Sequence, residues 1–264
     1  MGTYLFFAVL LFLAVALSLL GLWVMRRFVG LETLKSYHEV SGPMLAMVGT
    51  LYAVVLGFIV VDALDSFQKA RVLIEQEANA LADVFHYGDG FAGPTRERIQ
   101  QHCLDYVTNV IDDEWVQMDK GLASRKASNS VQKLWDVIIH VNPKTESEQT
   151  LYQCLLTQMG ELGDCRRTRL VTAAHAFDPI IWTVLIAGGT FSIVLTYFFA
   201  IDSLRAQAFM TAIVAIILCL NMILVAMFGY PFSGDVKVYP DTFQHDRVIF
   251  ENAIHNAPSG EERN

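Results

Sequence analysis

Leu51, Val55, Phe58, Asp62 and Asp65 follow one another at steps of three and four, so a helix would carry all five on one face. Apolar side chains ending in carboxylates are the layout of a cation-attracting pore. If several copies surround an axis, the apolar part forms a constriction that closes by dewetting and the acids form a ring at its mouth. Taken singly, Asp62 marks the place where a helix leaves lipid for water. A second set, Arg166, Arg167 and Arg169, either binds anionic lipid headgroups or pairs with acids such as Glu75 and Glu77. A third, Asp112, Asp113 and Glu114, could attract a divalent cation, but three consecutive acids on a helix cannot all point one way. A solvated face is expected there.

Small residues mark places where helices can approach closely. Gly49, Ala53 and Gly57 form a stripe at four-residue spacing, and Gly188 with Gly189 makes a second such place. Thr50 and Tyr52 need hydrogen-bond partners inside an apolar run, with satisfied packing favoured over ligand binding. Asn221 is expected to bond across to another helix.

Other chemistry finds no support. The seven histidines include no pair at helical i, i+3 or i, i+4 spacing, so no metal site is expected. Cys103, Cys154, Cys165 and Cys219 show no paired spacing. Neither a nucleophile elbow, a zinc-protease motif nor a phosphate loop occurs, so neither enzymatic activity nor a cofactor is expected. A net charge of −8 without a basic run argues against nucleic acid as a partner.

The elements that must position these residues follow from composition. The 264 residues are 53% hydrophobic and 17% charged, with a mean hydropathy of +0.38, which places the chain among polytopic membrane proteins. Residues 4–24 form an uncharged run of spanning length followed by Arg26 and Arg27, read as an uncleaved anchor. Met44 to Val61 is a second uncharged run, with Ser41 as N-cap and Pro43 in the first turn. Beyond it the apolar residues thin to a helical seam of Phe67, Ala70, Ile74, Ala78, Leu81 and Phe85. No Pro or Gly lies between Phe58 and His86, so a rod of about 60 Å is expected over 43–85 at ~1.5 Å per residue. Further helices are predicted over about 95–119, around Val131–Ile138, and from a capping box at Thr145–Glu148 to the arginines. Two more spans, 180–201 and 208–230, form a tight hairpin.

The predicted fold is all-α: a polytopic membrane protein with four transmembrane helices and a helical soluble layer between the second and third. The expected domains are a transmembrane hairpin over 1–64, a soluble helical domain over 65–176, a second hairpin over 177–230 and a tail over 231–264.

The segments LYAVVLGFIVV, EQEANALADVF, Tyr106 to Glu114-Trp115, RTRL…FDPIIWTVLIAGG and PFSGDVKV, in this order, resemble the bacterial bestrophin-like membrane family from about Ser41 to Phe243. The resemblance implies a helical four-crossing protein with a cytosolic layer and a ring-shaped homo-oligomer around an ion pore. The chain departs from bestrophins proper in lacking an acidic cluster that matches their calcium clasp and an aromatic triplet at their neck spacing.

The expected function is therefore a homo-oligomeric ion channel of four or more copies, cation-selective through Asp62, with itself, membrane lipid and an inorganic ion as partners. The alternative is a membrane-anchored sensor or scaffold that conducts nothing. The expected location is the bacterial inner membrane, with the soluble domain and both termini cytoplasmic, although the Lys and Arg count in the short loops favours the reverse orientation.

Overall fold

The computed structural model describes residues 2–29, 38–91, 93–174, 178–199 and 201–256, and among these there is no strand. Helix α1 spans Gly2–Val29, α2 His38–Gly88, α3 Pro94–Asn109, α4 Trp115–Met118, α5 Arg125–Ile139, α6 Glu146–Ala174, α7 Pro179–Tyr197, α8 Leu204–Phe228 and α9 Asp241–His255. A π-turn, Val110–Glu114, joins α3 to α4. Four helices, α1, α2, α7 and α8, are long and apolar enough to cross a membrane. The chain is an all-helical membrane protein with four transmembrane helices and a helical soluble layer between the second and third.

It divides into two compact units. The first holds residues 1–66, 177–230 and 234–236, the second 67–176, 231–233 and 237–264. Helix α2 is unbroken past Asp62. It begins at His38, so Pro43 lies inside it rather than in its first turn, and Ser41 is not its cap. Residues 30–37, between α1 and α2, lie outside the described residues.

In the first unit, buried hydroxyls are committed to backbone carbonyls, as groups without water must be. The Tyr52 hydroxyl donates to the Leu185 carbonyl (2.7 Å) and the Tyr197 hydroxyl to that of Ser18 (2.8 Å). The link between α7 and α8 has the expected six residues but falls at 198–203 rather than 202–207. Asp178 caps α7 by accepting from the Ile180 amide, and Ser203 caps α8. At the end of α7, Gln207 donates to the freed carbonyls of Thr196 and Tyr197, and its own carbonyl oxygen accepts from Arg26 Nε at 2.8 Å. That clasp fixes α1 to the hairpin and went unseen in the sequence.

The second unit is built on the seam of α2. Ala70, Ile74, Ala78, Leu81 and Phe85 are buried among Ile99, Cys103 and Tyr106 of α3, Leu134 and Ile138 of α5, and Leu155 and Leu162 of α6. The C-terminal segment joins this core through α9: Phe250 stacks on Phe85 at 4.1 Å between ring centroids, and Phe243 lies edge-on to Trp115. The Trp115 indole donates to the Val238 carbonyl (3.1 Å), pinning the extended stretch before α9. Gly121, at φ +69°, takes the left-handed conformation that ends the α4 segment.

Candidate functional site

Two places bring together the residues with chemical potential, one in each unit. On α2, Leu51 (60% exposed), Val55, Phe58 (72% exposed), Asp62 and Asp65 lie on a face that the chain's own helices leave open. A neighbouring side of the same helix is packed: Tyr52 and Leu56 are buried with Leu185 of α7 and Val225 of α8. The small-residue sites divide in the same way. A Cβ at Gly188 would come within 2.3 Å of the Tyr52 ring, and one at Gly189 within 2.7 Å of Met222, so these glycines sit where helices press together. Nothing lies within 4 Å of a Cβ built at Gly49 or Gly57, and Ala53 is exposed. Thr50 donates to the Ala46 carbonyl, and Asn221 bonds the Ile217 carbonyl of its own helix rather than a neighbour.

In the second unit a buried charge cluster spans α2, the π-turn and α6. Arg169, fully buried, forks onto Glu77 through Nε–Oε2 (2.6 Å) and Nη2–Oε1 (2.8 Å), and the same Nη2 reaches Glu114 Oε1 at 2.8 Å. Arg166 closes the other side of Glu114 at 2.6 Å and also donates to Ser128 Oγ. The Tyr106 hydroxyl donates to Glu77 Oε1 (2.6 Å). Two carboxylates thus meet two guanidiniums, leaving no net charge in the core. Burial alone would lower the Arg169 pKa, but Glu77 and Glu114 outweigh it and raise it, so the guanidinium stays charged. Burial and the Glu77 charge push the Tyr106 phenol well up, so it remains a donor. The guanidinium also lies 5.2 Å from the Trp115 ring centroid, a cation–π contact. Arg167 is exposed and pairs with Asp164.

The expectation of a solvated Asp112–Glu114 face fails at Glu114, which is wholly buried. The cause is the π-turn, whose wider winding rotates the backbone after Val110 and swings Glu114 from the outer side toward the core. The outcome splits the three acids: Asp112 faces Arg247, Asp113 accepts from Ser124, and Glu114 joins the cluster. The signal that could have found it was the pair Arg166 and Arg169, one turn apart and in need of two carboxylates. Burial raises the Cys103 thiol far up and Cys165 to about 11, so neither is a thiolate near neutrality. Among the described residues no three His, Cys, Asp or Glu side chains are grouped to hold a metal.

A family model described as the Bestrophin-like domain matches residues 12–243. The chain belongs to the Bestrophin-like family. Its fold is shared with solved structures of a bacterial Bestrophin homolog from Klebsiella pneumoniae. One is 12% identical, with 94% of this chain and 99% of that one covered at a TM-score of 0.70. A point-mutant structure of the Klebsiella homolog is 11% identical, with 92% and 98% covered at a TM-score of 0.72. No curated protein matches. At this identity the likeness is one of fold, so the roles of individual residues in this Bestrophin-like protein rest on its own geometry.

Proposed function

We propose that the protein is a homo-oligomeric ion channel in which the open face of α2 lines the axis. Family membership supports an ion-channel-type membrane protein. The observation that carries the lining assignment is the contrast across α2, with Leu51, Val55 and Phe58 uncovered while Tyr52 and Leu56 are packed. A helix with one face packed by its own chain and the other ending in carboxylates fits a pore wall better than a lipid-facing surface, where acids are costly. Phe58 and Val55 form the hydrophobic constriction, and Asp62 with Asp65 gives the mouth its preference for cations. The Gly49, Ala53 and Gly57 stripe packs against a neighbouring copy of α2. The assembly holds four or more copies in a bacterial inner membrane, with the soluble unit and the termini on the cytoplasmic side.

A membrane-anchored sensor or scaffold is the second reading, favoured by the grip of Arg169 on Glu77, which ties α2 to the return helix α6. Single-particle imaging of the purified protein separates the two. A ring of four or more copies with residues 51–65 on the axis supports the channel, whereas a dimer without an axial opening removes it.

A further inference from the structure

An apolar cavity of about 640 Å³ opens among α1, α7 and α8, within the first unit. Its floor is buried, formed by Ala215 and Cys219 of α8, while Phe6, Leu17 and Ile186 on its rim are more than half exposed. A cavity of this size in a packed helical unit is large: an apolar hole of ~150 Å³ already accepts a benzene molecule.

The wall decides what can fill it. Its hydroxyls are already engaged with the chain: Ser18 donates to the Ala14 carbonyl, Thr190 to that of Ile186 and Tyr197 to that of Ser18. The Trp182 indole donates to the Tyr230 hydroxyl. Beyond those bonds the wall offers only spare hydroxyl lone pairs and the weakly polar sulfurs of Cys219 and Met222, too little to hold a polar ligand or a chain of waters. The occupant must be hydrocarbon.

Its dimensions choose the kind. The lining runs from Phe6 to Ser18, from Trp182 to Tyr197 and from Ala215 to Ala226, giving a length of roughly 18 Å at ~1.5 Å per residue. Spread over that length, the volume leaves a cross-section of about 36 Å². A helix about 10 Å across needs roughly twice as much, so only side chains of a second copy's helix could enter, and not the helix itself. A methylene chain, whose carbons touch neighbours at ~4 Å, does. All three walls belong to helices that cross the membrane, where acyl chains are the surrounding solvent.

We infer that this cavity is a binding site for a single acyl chain of a membrane lipid, held along α1, α7 and α8. The site does not depend on conduction and would exist equally in a scaffold.

Trp182 in the wall makes the test direct. The protein in detergent is titrated with phosphatidylcholine carrying a dibrominated acyl chain, in a Trp23→Phe background that removes the exposed tryptophan of α1. Trp182 emission is expected to fall in a saturable phase ending near one lipid per chain, and native mass spectrometry is expected to show one bound lipid per chain. Ala14→Phe with Ala226→Phe fills the cavity and is expected to abolish both signals. The smaller Ala14→Leu, checked for an unchanged elution profile, is expected to weaken binding several-fold. Trp182 quenching that follows bulk lipid content without saturating overturns the site, as does lipid retention unaffected by filling. A change in copy number upon filling, with no lipid mass in the parent protein, overturns it too.

Discussion

Arg169 and Glu77, 92 positions apart in sequence, meet in a two-pronged ion pair of 2.6 and 2.8 Å, both side chains fully excluded from solvent. The pair joins the soluble half of α2 to α6, and Glu114 completes it from the π-turn. Coulomb attraction at such distances is strong, but removing the two charges from water costs nearly as much, so the pair adds little net stability while it is whole. Breaking it is another matter.

Arg169→Met leaves Glu77 buried with only the Tyr106 hydroxyl while Glu114 keeps Arg166, and a loss on the order of 3–5 kcal/mol is expected. Thermal unfolding followed by tryptophan fluorescence checks this. Arg167→Ala, which removes an exposed cation, is expected to stay within about 0.5 kcal/mol of the parent. Equal effects of the two variants would contradict the buried-cluster account.

Asp246 on α9 gives a pH signature. Burial pushes its carboxyl up to about 6, against the opposing pull of His245 and His86, and its Oδ2 has no hydrogen-bond partner among the described residues. The folded chain therefore binds this proton more tightly than the unfolded one. The stability linked to it is fully present below about pH 4 and is lost as pH rises through 6. Asp246→Asn is expected to be more stable than the parent above pH 7, by on the order of 1–2 kcal/mol, with the two converging near pH 4. Parallel unfolding curves across that range would contradict it.

The glycines of the spanning helices separate packing within a chain from packing between copies. Gly188→Ala drives a methyl into the Tyr52 ring and is expected to cost about 1–3 kcal/mol in thermal unfolding. Gly57→Leu starts from open space, since a Cβ there has no described atom within 4 Å. It is expected to leave the chain folded but to shift the oligomer distribution measured by light scattering. An unchanged distribution would remove the stripe from the subunit interface.

Much of this architecture could be read from residue spacing because membrane spans and amphipathic seams are periodic. The seam from Ala70 to Phe85 sits in the core as its three- and four-residue steps require. What escaped was local deviation from that period. Glu114 lies wholly out of solvent because a π-turn adds a fraction of a turn that no periodicity count includes. Asn221 found its partner four residues back on its own helix, an option as available in lipid as a neighbour's carbonyl. Arg26 and Gln207 were separated by 181 positions, with nothing in their local sequence to pair them. The alignment of Leu51, Val55, Phe58 and Asp62 along α2 could be laid out from spacing alone, because it follows one helical period.

The central claim is that Asp62 stands at the mouth of a conducting axis lined by Leu51, Val55 and Phe58. Purified protein in planar bilayers under a tenfold potassium chloride gradient tests it through the reversal potential. The account predicts a cation-side reversal for the parent and, for Asp62→Asn, a shift toward zero with at least a several-fold fall in the cation-to-anion permeability ratio. A reversal potential identical in parent and variant would contradict it.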